Sequence, residues 1–175
     1  GPRDAYRAAR GDEVVSASGL SFRLSRPLDW VVIADHTDGI GMMSDIIAAT
    51  PEVLETEQGA RWSKALRAGG EEAINATMDL ISTFAQGEMD PELLANFSAG
   101  SKRFATIWED CIQEAEEYND PGRFTTLIGF EWTSLVQGGN SQRNVIFRDG
   151  ADRVRQVVPF TTQPPTGITD PLDLY

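Results

Sequence analysis

The chain contains one histidine, His36, and a carboxylate, Asp35, directly precedes it. A second carboxylate of interest, Glu131, follows an apolar stretch far along the chain. Imidazole and carboxylate groups are common ligands of Zn²⁺, Mn²⁺ and Fe²⁺, and a carboxylate can bridge two such ions. If the fold brings Asp35, His36 and Glu131 together, these side chains predict a catalytic site in which divalent metal ions activate a water molecule for hydrolysis.

Two apolar stretches must position these residues. Residues 30–34 have the length and β-branched content of a strand buried on both faces, and that stretch stops at Asp35. Residues 124–130 are a second β-rich stretch, which ends at Glu131. Strand, helices, strand is the pattern of a right-handed parallel crossover. If the two strands are parallel neighbours, their ends would lie on the order of 5 to 10 Å apart, since adjacent strands are ~4.8 Å apart. The alternative is a strand followed by a polar turn, with Asp35 or Asp38 capping the next helix.

A helical insert over residues 51–119 separates the two strands. Apolar residues recur at helical spacing in two segments, and we expect these positions to pack in the core. Cys111 lies in the second segment and is interpreted as a buried thiol, not a nucleophile. The two stripes are Ile74, Met78, Ile81 and Phe84, and then Phe104, Ile107, Trp108, Cys111, Ile112, Ala115 and Tyr118.

Shorter elements are predicted on either side of this insert. They are a helix over residues 4–10, a short strand around residues 20–24, a turn at residues 137–140, strands over residues 144–147 and 155–160, an extended connector at residues 163–167 and the start of a helix at residues 169–175.

Charge and composition narrow the classes of partner. The net charge of −12 argues against nucleic acid and anionic membrane surfaces as partners, because both require a cationic face. A small anionic substrate would need a metal ion or arginines, and Arg143, Asn144 and Arg148 lie close in sequence to Glu131. Surface charge on a hairpin is the equal alternative for these three residues. The single cysteine excludes an internal disulfide. The sequence does not decide between the cytoplasm and the periplasm, and it leaves open whether the chain forms a homo-oligomer.

The order and spacing of several motifs resemble an uncharacterised branch of the PHP (polymerase and histidinol phosphatase) superfamily of metal-dependent hydrolases. The motifs are Ala34-Asp35-His36 after a strand, Gly129-Phe130-Glu131-Trp132-Thr133-Ser134, and residues 139–149, with further similarity at residues 4–6, Gly11 and residues 25–29. The resemblance implies an α/β fold that is part of a distorted β/α barrel, and residues 1–175 would form a single incomplete PHP-like domain.

The resemblance also implies roles for particular residues. Asp35 and His36 match the family's second metal motif, and Glu131 matches its metal-bridging acid. The family's first motif, a His-x-His, is absent and is expected upstream of Gly1, while Gln142 stands where the family tends to carry a histidine ligand. The implied function is metal-dependent hydrolysis of phosphoesters or related anionic esters. The alternatives are a degenerate domain that acts as a binding or scaffold module, and a helical insert that serves as an interaction surface.

Overall fold

A computed structural model describes residues 1–16, 19–134, 140–163 and 167–174. In chain order the elements are α1 (Pro2–Ala9), β1 (Val14–Val15), β2 (Ser21–Phe22), β3 (Trp30–Ile33), α2 (Met42–Ala48), α3 (Pro51–Leu54), α4 (Glu57–Ala68), α5 (Gly70–Gln86), α6 (Pro91–Asn96), α7 (Lys102–Tyr118), β4 (Thr125–Ser134), β5 (Ser141–Ile146), α8 (Ala151–Val154) and a 3-10 helix (Pro171–Leu174).

The three longer strands form a sheet in the order β3-β4-β5. Strands β3 and β4 are parallel, with Trp30 opposite Thr125 and Ile33 opposite Ile128, so the predicted parallel crossover is confirmed. Strand β5 returns antiparallel to β4 over Gly129 to Ser134. A separate antiparallel pair, β1 with β2, includes the short strand predicted around residues 20–24. The crossover from β3 to β4 therefore contains the helices that the sequence predicts between them.

The predicted PHP-like β/α barrel is wrong for this structure. Its described residues form one sheet of two strands and one of three, and they do not close into a barrel. A β/α barrel requires each strand to be followed by a helix that returns the chain to a parallel neighbour. Here β4 is followed directly by an antiparallel strand, and residues 155–160, predicted as a further strand, lie outside any strand after the short helix α8. The observed architecture is a mixed α/β fold with small sheets.

Helices cover one face of the β3-β4-β5 sheet. Alternate residues of β4, from Thr126 to Ser134, are buried on this face, as the period of two in a strand requires. The amphipathic helix α7 packs on them, and its start is capped by the Ser101 hydroxyl, which accepts a hydrogen bond from the Phe104 backbone N–H at 3.0 Å. The Trp108 indole N–H donates to the Val157 carbonyl at 3.1 Å. This cluster fixes the sheet against α1, α7 and α8.

The opposite face of the sheet is open among the described residues. Residues 30–34 were expected to be buried on both faces, but Trp30 is 58% exposed. Ile146 of β5, on the same face of the sheet, is 46% exposed. Both side chains belong to the face that the helices leave uncovered, which we call the open face. The expectation of two-sided burial is therefore wrong here, because helices pack on only one side.

Helices α2 to α6 surround a second core centred on Trp62, which is fully buried. Its indole N–H donates to an Asp79 oxygen at 2.7 Å and so joins α4 to α5. The predicted burial of Ile74, Met78 and Ile81 is wrong: they are 65%, 62% and 53% exposed. Helix α5 uses a neighbouring stripe, which includes Ala76, to pack on this core.

Three other elements predicted from the sequence are present in the structure, wholly or in part. Helix α1 confirms the predicted opening helix, β5 overlaps the predicted strand over residues 144–147, and the 3-10 helix confirms the predicted helix start near the end of the chain. The predicted turn at residues 137–140 and the connector at residues 163–167 fall largely outside the described residues. Among the described helices, none combines the length and the apolar character that crossing a membrane requires.

Candidate functional site

The histidine and the second carboxylate meet where the parallel pairing of β3 and β4 ends. Glu131 lies inside the central strand β4, which continues to Ser134, so the predicted strand end at Glu131 is wrong. His36 lies opposite Glu131 in the parallel register that continues beyond β3, so both side chains project from the open face. The imidazole Nε2 is 3.2 Å from a Glu131 carboxylate oxygen. The His36 side chain is 57% exposed, whereas that of Glu131 is only 17% exposed. The pair therefore joins a shielded carboxylate to an accessible imidazole.

A third side chain fixes the orientation of the imidazole ring. Thr133 follows Glu131 by two residues and so faces the same side of the sheet, with its hydroxyl 2.9 Å from His36 Nδ1. Which of these two atoms donates depends on the tautomer of the ring, and Nε2 lies within ion-pair distance of Glu131. Both ring nitrogens thus contact side chains of β4, at 2.9 Å and 3.2 Å.

The pair also has the spacing of two ligands on one metal ion. Zinc binds imidazole nitrogen and carboxylate oxygen at about 2.0–2.2 Å, and a tetrahedral angle then places the two ligand atoms about 3.4 Å apart. The observed 3.2 Å between His36 and Glu131 is close to that value. With a metal on Nε2, Nδ1 would carry the ring proton and donate a hydrogen bond to the Thr133 hydroxyl, as outer-shell partners of zinc-binding histidines commonly accept.

Asp35 is not part of this pair. As the residue next to His36 it projects toward the opposite face, where it lines a small pocket with Tyr6 and Cys111, yet it is exposed and also lines a cleft of about 610 Å³ together with His36. Burial raises the pKa of the Cys111 thiol to about 12, and the charge of Asp35 adds to the shift, so the thiol is protonated at neutral pH. In the described residues, no three histidine, cysteine, aspartate or glutamate side chains lie close enough to hold a metal ion. Asp35 therefore points away from Glu131 but shares a cleft with His36.

The turn after β3 is held in place by the chain around residue 160. Thr37 is fully buried, and its hydroxyl donates to the Phe160 carbonyl at 2.6 Å. Both the N–H and the hydroxyl of Thr162 donate to the Asp38 carboxylate at 3.0 Å. Burial raises the pKa of Asp38, and these hydrogen bonds and the nearby His36 act in the opposite direction. Asp38 does not cap α2, whose N-cap is Gly41.

The three predicted substrate contacts lie in different places. Asn144 is directly opposite Glu131 on β5 and shares the open face with it. Arg143 is opposite Trp132, on the other face, and its guanidinium donates to the Gln142 carbonyl at 2.8 Å. Arg148 lies beyond the end of β5 and is exposed. The structure therefore brings only Asn144 to the His36–Glu131 pair.

A cleft of about 380 Å³ opens beside His36, between α2, α5 and residues 162–163. His36, Asp38, Thr133 and Thr162 line one end of it, and apolar side chains of α2 and α5 line the rest. A second cleft, of about 610 Å³, shares His36 and Asp38 with the first and runs past Asp35 toward α7. Its α7 end is lined by Asp110, by Glu114 and by Arg103, which is paired with Asp45. His36 thus stands where two clefts meet.

The sequence reasoning missed Thr133 and Thr162. Thr133 carries a detectable signal, since a residue two positions after Glu131 on the same strand must share its face. Thr162 carries none, because only the tertiary fold brings residues 160–163 to the turn after β3.

One family model matches residues 1–175, and its description is "Protein of unknown function (DUF3604)". No curated protein and no solved structure matches the chain. The comparisons therefore add no activity, substrate or ligand to the geometry of the site.

Proposed function

The chain belongs to the DUF3604 family, and we propose that it forms part of the site of a metal-dependent hydrolase that acts on phosphoesters or related anionic esters. The observation that supports this proposal most is the His36–Glu131 pair, with 3.2 Å between Nε2 and the carboxylate, just beyond the C-terminal end of β3, where its parallel pairing with β4 ends. Loops that leave such strand ends commonly build active sites. The relation to the PHP superfamily stays a prediction.

The side chains present suit two ligands of a divalent zinc, manganese or iron ion. His36 Nε2 and Glu131 would hold the ion, and Thr133 would orient the imidazole through Nδ1. When bound, the metal would activate a water molecule and offset negative charge on the substrate. A catalytic zinc site usually has three protein ligands, so at least one further ligand must come from residues beyond this pair.

The charge distribution favours a metal ion beside an anionic substrate. The chain has a net charge of −12, no lysine or arginine is among the described residues that line the 380 Å³ cleft, and Arg103, which lines the 610 Å³ cleft, is paired with Asp45 at 2.6 Å. Asn144, opposite Glu131, offers only a neutral amide. A phosphoryl group beside Glu131 and Asp38 would therefore meet repulsion unless a cation intervened.

The second candidate is a binding or scaffold module that lacks catalysis. Two observations favour it: within the described residues the site offers fewer than three clustered ligands, and Gln142, opposite Thr133, presents a neutral amide where a histidine ligand would be expected. An amide oxygen binds zinc-like ions less well than imidazole does. Substituting Gln142→His distinguishes the two cases, since a module without a metal site gains no zinc affinity.

The test of the first candidate uses the full-length protein that contains this chain. Metal content and the hydrolysis of p-nitrophenyl phosphate are measured for the wild type, for Glu131→Gln and for Glu117→Gln, a control on the exposed surface of α7. We expect Glu131→Gln to lose metal and to reduce turnover at least 100-fold, because it removes a ligand charge, while Glu117→Gln keeps both. Equal metal content and equal rates in all three proteins would refute the proposal.

A further inference from the structure

The 380 Å³ cleft beside His36 has the character of a small-molecule site, and nothing in the proposed reaction uses most of it. We propose that this cleft binds the non-reacting group of the substrate and that this group is a neutral aromatic or branched alkyl group. The inference rests on the proposed function only for the position of the reacting ester, at His36 and Glu131.

The lining of the cleft supports an apolar ligand. Met42 and Met43 of α2 face Leu80, Ile81 and Phe84 of α5 across it. Small-molecule sites commonly have volumes of ~300–1,000 Å³, are mostly apolar and carry a few polar groups at fixed points. This cleft fits that description, because its polar side chains lie together at the His36 end.

The shape and chemistry of the wall favour a ring or a branched chain. The Phe84 ring can contact another ring edge-to-face or offset, an arrangement that stabilises aromatic pairs. The thioethers of Met42 and Met43 are unbranched and polarisable, so they can adjust to a flat or a branched ligand. Met42 is itself buried and lies at the bottom of the cleft wall formed by α2.

The charges at the cleft disfavour an anionic group at its apolar end. No lysine or arginine is among the lining residues that the structure describes, and the ionisable groups in the lining are His36 and the half-buried Asp38. The Asp38 carboxylate already accepts hydrogen bonds from Thr162, so its charge is stabilised without a cationic ligand. Transfer of a neutral apolar group from water into such a space is favourable, whereas a second anionic group would lose its hydration without a partner.

The first experiment measures binding alone. The fluorescence of 1-naphthol, a neutral aromatic probe, is titrated with the wild type, with Phe84→Ala and with Ile74→Ala, a control on the exposed side of the same helix. We expect Phe84→Ala to weaken binding about tenfold and Ile74→Ala to leave it unchanged, because Phe84 lines the cleft and Ile74 does not. Met43→Ser, on the opposite wall, serves as a second variant if circular dichroism shows that Phe84→Ala is unfolded, and the same tenfold loss is expected.

The second experiment compares turnover of 1-naphthyl phosphate with that of glycerol phosphate. We expect the wild type to prefer the naphthyl ester in kcat/KM, and Phe84→Ala to reduce that preference about tenfold. Naphthol binding without any turnover would support the cleft's role and refute the proposed hydrolase. No naphthol binding by the wild type, or equal weakening in Ile74→Ala, would overturn the inference.

Discussion

Substituting Gly129→Ala tests the packing of the strand that carries Glu131. Gly129 lies in β4 between β3 and β5, and a Cβ added there would lie 2.8 Å from the Val145 carbonyl oxygen and 2.9 Å from Val32 Cγ2. The carbonyl belongs to the β4–β5 register, so it cannot move without disturbing the sheet. Adding an atom to a close-packed site typically costs about 1–3 kcal/mol.

A second effect of this substitution acts in the opposite direction. Glycine inside a strand loses more backbone entropy on folding than alanine does, so alanine regains about 0.5–1 kcal/mol. The clash is the larger effect, and we expect Gly129→Ala to lower the free energy of unfolding by about 1 kcal/mol. Urea denaturation followed by tryptophan fluorescence measures this as a lower midpoint at an unchanged slope.

A double mutant shows whether the clash is the cause. Val32→Ala removes the Cγ2 atom that the new methyl group would meet, so Gly129→Ala should cost less in that background than in the wild type. The expected coupling is about 0.5 kcal/mol or more. A Gly129→Ala protein as stable as the wild type, or strictly additive effects of the two substitutions, would refute the described packing of β3 on β4.

Three further predictions concern single side chains. Burial raises the pKa of Asp38 above its ordinary 3.8, so ionisation of this carboxyl lowers the stability of the folded protein as the pH rises from about 4 through the raised pKa. In chemical denaturation, the free energy of unfolding of Asp38→Asn should therefore increase relative to that of the wild type between pH 4 and pH 7. A difference that does not change with pH would contradict this. Thr133→Val removes the hydroxyl that orients His36 and should weaken zinc binding about 10- to 100-fold in calorimetry, whereas Thr133→Ser should not. Trp62→Phe leaves Asp79 without its indole donor and should lower the free energy of unfolding by about 2 kcal/mol; a loss below 0.5 kcal/mol in urea denaturation would show that this bond contributes little.

Much of the site's framework could be predicted from the sequence. The apolar stretches ending near His36 and Glu131 form parallel neighbouring strands, because β-branched runs and a crossover of helices permit few other arrangements. The pairing of these two residues follows from that topology. Asp35 points away from Glu131 because side chains alternate along a strand. This could be deduced only once the register was known to place His36 opposite Glu131.

The remaining features depend on tertiary contacts that a local pattern does not encode. Helix α5 has two adjacent apolar stripes, and helical periodicity cannot tell which one will pack; the structure buries Ala76 and leaves Ile74 exposed. Residues 155–160 have strand-like composition, yet Phe160 contributes its carbonyl to Thr37 instead of joining a sheet. The closed barrel was expected from resemblance alone, and the antiparallel strand β5 contradicts it.

Titration of the full-length, metal-free protein with Co²⁺, followed by visible absorption, tests the central claim most directly. Tetrahedral nitrogen and oxygen ligation of a Co²⁺ ion at His36 and Glu131 predicts a saturable set of absorption bands in the wild type and in Glu117→Gln, and their loss in Glu131→Gln and in His36→Ala. Bands of equal intensity in all four proteins, or no bands in the wild type, would contradict a metal site at this pair.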